Sequence, residues 1–345
     1  MNNSDLKELR GRANMSMNAE GTVIKGDRLG QYIVVTPCKD EEETLPNLIQ
    51  SMAVQTHKPI LWVIVDDGST DNTKEIIFDV EKRYNWIKSL FLNNEEGYNV
   101  GGHLAHVCNK GFEYAKAHCI DNDLEYDYIA LIDADNIPER DYFMKLIERF
   151  RGDTNLGLIS GNSSYVDVTK SRENIGDNED LFTHYKQYIY KVQEGREDLP
   201  MGSARIWKRE CFEDTGGGYA IAQAPDSISI IKAKLKGWDT KRYMDIEVVE
   251  REGQLKPGRW NGNFLVGETN YYRGLPIYIA LLKSINYSFR RPYYIGIAYF
   301  SGYFKSWIFR KEKIDDDEIL DYYRNTRPKE LWVRIFKKPR EHLKK

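Results

Sequence analysis

Leu61-Trp62-Val63-Ile64-Val65-Asp66-Asp67-Gly68-Ser69-Thr70-Asp71-Asn72-Thr73 is the stretch on which the fold turns. Its apolar, β-branched first part reads as a buried strand. The acidic, Gly- and Ser-containing part behind it reads as a turn. Ile76, Ile77 and Val80 then recur at helical spacing. The same unit occurs three more times. Tyr32-Ile33-Val34-Val35 ends in Thr36-Pro37 and precedes a helical face of Leu45, Leu48, Ile49 and Met52, with Glu41, Glu42 and Glu43 expected at the positive end of its dipole. Ser89-Leu90-Phe91-Leu92 leads through Gly97, Gly101 and Gly102 to Val107, Phe112 and Ala115. Tyr128-Ile129-Ala130-Leu131-Ile132 is closed by Asp133-Ala134-Asp135 and followed by Phe143, Leu146 and Ile147. Alternation of this kind predicts an α/β fold, a mostly parallel Rossmann-like sheet flanked by helices.

In such sheets ligands bind outside the carboxyl ends of the strands. Asp40/Glu41, Asp66/Asp67 and Asp133/Asp135 all follow strands directly, so one rim collects several acids. Residues i and i+2 of an extended segment share a side and lie about 7 Å apart, which lets Asp133 and Asp135 serve one cation. Hard oxygen ligands suit Mg²⁺ or Mn²⁺, which recruit substrate phosphates. Turn chemistry at Asp66-Asp67-Gly68-Ser69 and helix capping at Asp133/Asp135 are the plain alternatives. No GxxxxGK[ST] segment occurs, and no GxGxxG follows the first strand, so neither a P-loop NTPase nor a dinucleotide-dependent dehydrogenase is supported.

The 345 residues are 41% hydrophobic and 30% charged, within the ordinary globular range. The net charge of −3 hides an asymmetry. From Lys283 onward Lys and Arg outnumber Asp and Glu 16 to 8, against 34 to 45 before it. A basic, aromatic tail on an acidic body is expected to meet an anionic surface, which nucleic acid or lipid head groups could supply; no nucleic-acid partner is expected. Cys38, Cys108, Cys119 and Cys211 stand singly, without a zinc or disulfide spacing. Free thiols and the absence of an apolar leader predict a cytoplasmic protein, peripheral on the cytoplasmic face of the membrane if the tail binds lipid.

The ordered series Val34-Val35-Thr36-Pro37, Asp40-Glu41-Glu42, Val65-Asp66-Asp67-Gly68-Ser69-Thr70-Asp71-Asn72-Thr73, Asn109-Lys110-Gly111 and Asp133-Ala134-Asp135 resembles the GT-A-fold family 2 glycosyltransferases. The resemblance covers roughly residues 32–240. It implies a nucleotide-diphospho-sugar donor, a divalent metal (Mn²⁺ or Mg²⁺), transfer with inversion, and a glycan or lipid-linked acceptor. Thr36, Pro37 and Glu41 match the segment that cradles base and ribose, and Asp66 the acid that contacts the base. Asp133 matches the acid near ribose and metal, and Asp135 the direct metal ligand. Gly216-Gly217-Gly218-Tyr219 resembles the turn before the acceptor side, and Ala224-Pro225-Asp226 falls at the catalytic acid, which makes Asp226 the general base. On this reading residues 1–31 are a polar arm, 32–270 the catalytic domain (32–135 for the nucleotide sugar, 136–270 for the acceptor), and 271–345 a helical, amphipathic, basic extension.

The departures from the family pattern have consequences. The usual acidic pair is Pro225-Asp226, and the QxxRW of processive synthases survives only as Arg259-Trp260, with Lys256 in place of Gln, so transfer of one or a few sugars is expected. With no His between His184 and His342, Arg251 or Arg259 becomes the candidate for the diphosphate. Tyr293 to Phe309 is at the short limit for a membrane span and better suited to lying in the interface, or else to covering the core or forming a homo-oligomer. The competing reading from another class is a non-catalytic nucleotide-sugar-binding or scaffolding subunit with the same fold.

Overall fold

The computed structural model describes residues 15–17, 23–25, 29–93, 100–166, 180–193, 195–251, 259–289 and 291–337. Within the N-terminal segment, where no alternation announces a strand, β1 (Met15–Met17) pairs antiparallel with β2 (Val23–Lys25). The four sequence repeats appear as β3 (Tyr32–Cys38), α1 (Leu45–Ala53), β4 (Leu61–Asp66), α2 (Thr73–Arg83), β5 (Ile87–Phe91), α3 (Val100–Asp121), β6 (Tyr128–Ile132), β7 (Asn136–Pro138) and α4 (Tyr142–Gly152). Every residue of β3, β4 and β6 is buried, as a strand covered on both faces requires. Strands β5, β4, β3 and β6 run parallel in that order.

The sheet then changes character. It continues through β10 (Ala204–Lys208), β8 (Leu156–Val166), β11 (Asp239–Arg251) and β7, with β9 (Ile189–Val192) paired to β8. Strand β10 is antiparallel to both neighbours, and β7 is antiparallel to β11. This half belongs to the second part of the chain. Helices α5 (Leu181–Lys186), α6 (Arg209–Asp214) and α7 (Pro225–Leu235) complete it.

Two apolar layers sandwich the sheet. Leu45, Leu48, Ile77, Phe143 and Leu146 from α1, α2 and α4 pack on one face. Ala105, Phe112, Ala115, Phe212 and Ile230 from α3, α6 and α7 pack on the other. Gly111 lets α3 approach closely: a Cβ there would lie 2.5 Å from Val35 Cγ1 and 2.7 Å from Val65 Cγ2.

The chain ends in α8 (Arg259–Tyr272), α9 (Ile277–Ser288), α10 (Ile295–Ile308), α11 (Asp317–Asp321), a π-helical turn (Tyr322–Thr326) and α12 (Arg327–Lys337). Helices α8 and α10 cross at glycines: a Cβ on Gly267 would strike the Tyr299 carbonyl oxygen, and one on Gly302 the Phe264 carbonyl oxygen. A third core joins these helices to the body, with Ile228 and Ile231 of α7 against Tyr271, Ile279, Tyr299 and Tyr322. The segment read as an interfacial helix is therefore half occupied, because Gly296, Ala298, Tyr299, Gly302 and Tyr303 of α10 are buried among its neighbours. Its other side, with Ile297, Phe304, Trp307 and Ile308, is exposed. Among the described residues no helix is long and apolar enough to cross a membrane.

Candidate active site

The first two strand-end loops are stitched to one another. Asp40, held at a φ of 54°, accepts hydrogen bonds from Thr70 N (2.7 Å) and Thr70 Oγ1 (3.1 Å), and its own N–H donates to Ser69 Oγ. Glu42 accepts from Asn72 N and Nδ2, and Glu41 N–H donates to Thr73 Oγ1. The glutamates expected at the start of the first helix thus precede it, and α1 has no acid in its first turn. Glu41 also accepts from the Thr44 hydroxyl.

Asp66 is fully buried, and its carboxylate accepts from Gly68 N at 3.1 Å and Ser69 N at 3.3 Å, with Lys74 at 3.9 Å. Its first task is to shape the loop that follows it. The neighbouring Asp67 receives His103 Nε2 at 2.6 Å and Lys39 at 3.6 Å, which links this loop to α3. Thr36 is buried within β3 and accepts the Trp62 indole N–H at 2.9 Å, while Pro37 pairs in register with Val65. Arg259 opens α8, with its side chain outside the described residues, as are Arg251's side chain and Lys256.

Asp133 leaves β6 beside the start of β10, its N–H donating to Ser203 O at 2.8 Å. Ala134 and Asp135 form the turn into β7, not the start of a helix; α4 begins only at Tyr142. Asn136 is fully buried and donates from Nδ2 to Asp135 Oδ1 (3.2 Å), Asp133 O and Ser203 O (both 3.4 Å), which fixes the turn. Asp133 is half-buried as a residue, and its carboxyl is pushed well above the usual carboxylate range. Burial is the first cause; the negative fields of Asp135, Asp226 and Glu250 add to it, and Arg205 opposes it. Four acids from β6, its turn, α7 and β11 therefore share one neighbourhood. Glu250 is the member that sequence motifs missed. It arrives because β11 pairs with β7 and β8, and it accepts from Ser163 Oγ at 2.6 Å.

A cation fits this donor set. Asp133 is the carboxyl that the surrounding negative charge pushes up, and oxygen-only donors suit Mg²⁺ or Mn²⁺. Among the described residues no three His, Cys, Asp or Glu side chains converge on one point, so a metal held by Asp135 and Asp133 would need further ligands from elsewhere. That is the arrangement in which substrate phosphates and water complete the shell.

Asp226 sits in the first turn of α7 with its side chain 39% exposed. Ala224 before it is held left-handed (φ 55°, ψ 61°), a strained state for a residue with a Cβ, and Pro225 starts the helix. Fully buried Arg205 braces this corner: Nη1 donates to Ser229 Oγ (2.9 Å) and Asp226 O (3.2 Å), Nε to Met201 O, and Nη2 lies 3.9 Å from Asp226 Oδ1. Gly202 lies against the same carboxylate; a Cβ there would be 2.5 Å from Asp226 Oδ2. The Gly216-Gly217-Gly218-Tyr219 turn is clamped from α3 by Asn109, which donates to Tyr219 O (2.8 Å) and accepts from Tyr219 N (2.7 Å). Gly216 and Gly217 take φ of 107° and 69°. Beside Asp226 opens a cavity of about 390 Å³.

Acids at the carboxyl edge of a parallel half-sheet, with a separate acid on a helix beside an open cavity, mark the place where such a sheet binds its ligand. The sequence pattern of glycosyl transferase family 2 matches residues 33–216, more than half the chain, and the chain belongs to that family. It is 30% identical over 139 residues to the poly-beta-1,6-N-acetyl-D-glucosamine synthase of Staphylococcus aureus strain COL, covering 40% of this chain and 30% of that one. The chain thus aligns with less than a third of the length of the curated relatives it matches. S. aureus TarS 1-349 in complex with UDP has the same fold, with a TM-score of 0.50 and 14% identity over 83% of this chain and 94% of that one. A mannosyltransferase, PcManGT from Pyrobaculum calidifontis in complex with GDP-Man and Mn²⁺, gives a TM-score of 0.49 and 17% identity over 80% of this chain and 70% of that one.

Proposed function

We propose that the protein transfers a sugar, with inversion and with help from a divalent metal, from a nucleotide-diphospho-sugar to a hydroxyl or phosphate of a glycan or lipid-linked acceptor. The observation that carries this reading is the separation of tasks around Asp133. Asp135 and Asp133 lie at the strand-end turn, while Asp226 approaches from α7 and faces a cavity. The stitched loops at Thr36, Pro37, Glu41 and Asp66 offer a preformed edge for the base and ribose.

Asp226 takes the proton from the acceptor hydroxyl as its oxygen bonds to the anomeric carbon. The bond from that carbon to the diphosphate oxygen breaks at the same time, and the nucleoside diphosphate leaves with the electron pair. Asp135 and Asp133 would hold the metal, which when bound supplies charge to stabilise the departing diphosphate. Arg205 keeps Asp226 in place through its backbone oxygen and faces its carboxylate at 3.9 Å. Tyr219 stays protonated beside this acid, its hydroxyl pushed up first by burial.

The exposed face of α8 to α10, with Leu265, Leu281, Ile285, Phe289, Ile297 and Trp307, is proposed to meet the cytoplasmic membrane surface beside Arg310 and Lys311. Recovery entirely in the soluble fraction at low salt would count against it.

Thermal-shift measurements with UDP-, GDP- and dTDP-sugars, with and without Mn²⁺, test the donor assignment. One donor class should raise the melting temperature more with Mn²⁺ than without. No shift with any of them, together with no donor hydrolysis, would favour the binding-subunit reading.

A further inference from the structure

The cavity beside Asp226 is lined by six cations drawn from distant parts of the chain: Arg196, Arg205, Lys234, Arg242, Arg273 and Arg327. Their partners do not neutralise them. Arg196 and Lys234 share one carboxylate, Asp198, and Arg327 pairs with Glu330 at 2.7 Å. Asp226 is the one carboxylate of the described lining, at 3.9 Å from Arg205.

Arg242 and Arg273 stand out. They are 4% and 9% exposed, and among the described residues they hydrogen-bond only neutral groups. Arg242 Nη2 donates to Asn162 Oδ1 (2.5 Å), Gln193 O (3.0 Å) and Gln193 Oε1 (3.2 Å). Arg273 donates to Tyr323 Oη (3.0 Å) and Ala224 O (3.4 Å). Among the described residues, Arg242 Nε, Arg273 Nε and Arg205 Nη2 are buried with no hydrogen-bond acceptor. Buried guanidinium groups are costly to leave half-satisfied, and their planar N–H forks match the oxygens of phosphate. Gly195 is part of the construction, since any Cβ there would collide with the Arg242 guanidinium. Lys283 is lowered to about 8 by burial and then by the charges of Arg327 and Arg273, two of the cations that line the cavity.

We propose that this cavity receives an acceptor bearing a phosphate or phosphodiester group, held by Arg242 and Arg273, so that a hydroxyl of the same molecule lies at Asp226. The inference rests on the transferase reading above and adds the chemical class of the acceptor. It also gives the C-terminal helices a task in the site, because Arg273, Tyr322, Tyr323 and Arg327 form one cavity wall. The cavity is large enough for a small ligand's anchoring portion. The lining includes neither Asp133 nor Asp135, which separates it from the donor's metal carboxylates.

Titration calorimetry tests the proposal without metal or turnover. The probes are glycerophosphoglycerol as a phosphodiester, glycerol as its neutral counterpart, and phosphatidylcholine vesicles with and without phosphatidic acid. Binding of glycerophosphoglycerol but not glycerol, weakened about tenfold or more in Arg242→Gln/Arg273→Gln, is expected if the source is a soluble phosphate polymer. Binding only to vesicles with phosphatidic acid, weakened in the same variant, is expected if it is a lipid phosphate. Affinity for UDP and GDP with Mn²⁺ should stay within about twofold of the parent in either case. Absence of phosphate-dependent binding, or binding the variant leaves unchanged, overturns the proposal. A parallel fall in UDP or GDP affinity also overturns it, since the cavity would then belong to the donor. Should the double variant fail to fold, Arg327→Gln at the rim must show the same selective weakening. Sugar transfer unchanged in Asp226→Asn, with phosphate binding intact, would sink the transferase reading alone.

Discussion

Gly202→Ala should cripple transfer while leaving the fold nearly intact. An added Cβ would stand 2.5 Å from Asp226 Oδ2 and 2.9 Å from its Cγ, whereas ordinary contacts begin near 3.4 Å. The clash falls on the end of a partly exposed side chain rather than on backbone, so the carboxylate yields by about 0.9 Å, and a misplacement near 1 Å at a reacting group costs about 10²-fold. That corresponds to about 2.7 kcal/mol of lost transition-state stabilisation. Initial rates at saturating and limiting acceptor should show kcat/KM falling by this factor. Donor affinity by calorimetry should be unchanged, because the atoms nearest a Cβ at Gly202 belong to Asp226 and not to Asp133 or Asp135. Gly152→Ala is the matched control, since its Cβ would meet no atom within 4 Å. A folded Gly202→Ala protein with wild-type kcat/KM would refute the placement of the reacting proton at Asp226.

Further outcomes follow from other contacts. Asn109→Ala removes both bonds to the Tyr219 backbone and should lower stability to urea by about 1–3 kcal/mol. Gly111→Ala forces α3 off Val35 and Val65 and should cost about 1–3 kcal/mol in the same assay. Asp135→Ala should abolish the Mn²⁺-dependent part of donor binding and lower kcat/KM by about 10²-fold or more, measured by calorimetry and initial rates. Lys283 is lowered to about 8 from an unfolded value near 10.5, so between those values the unfolded chain binds the extra proton. Stability should therefore gain from this group as pH rises above 8, and urea unfolding of Lys283→Met at pH 8 and 9.5 should show a smaller gain than the parent.

The parallel half of the sheet was legible because each strand is a short apolar run that ends in polar turn residues, and β3, β4 and β6 fall where those runs stand. The Asp133/Asp135 turn and Asp226 were legible as motif positions. The antiparallel half was not, since β8 contains Ser160, Asn162, Ser163 and Ser164 and reads as polar although every residue of it is buried. Local spacing also hides how a carboxylate is used: Asp66 looks like a ligand contact, yet its oxygens first satisfy the N–H groups of its own loop. Glu250 joins Asp133 through the pairing of β11, more than a hundred residues away in sequence. Arg205, Arg242 and Arg273 are ordinary charged residues in the chain; the first two meet because both pair with Ser160 of β8, and Arg273 joins them when the third core brings the C-terminal helices onto α7.

The most direct test of the account is Asp226→Asn assayed for sugar transfer once the donor is known, with donor affinity measured in parallel. The amide keeps the size of the side chain and cannot accept the proton as a base. The account predicts a fall in kcat of about 10²- to 10⁴-fold with donor affinity and melting temperature close to the parent. Unchanged transfer would contradict it.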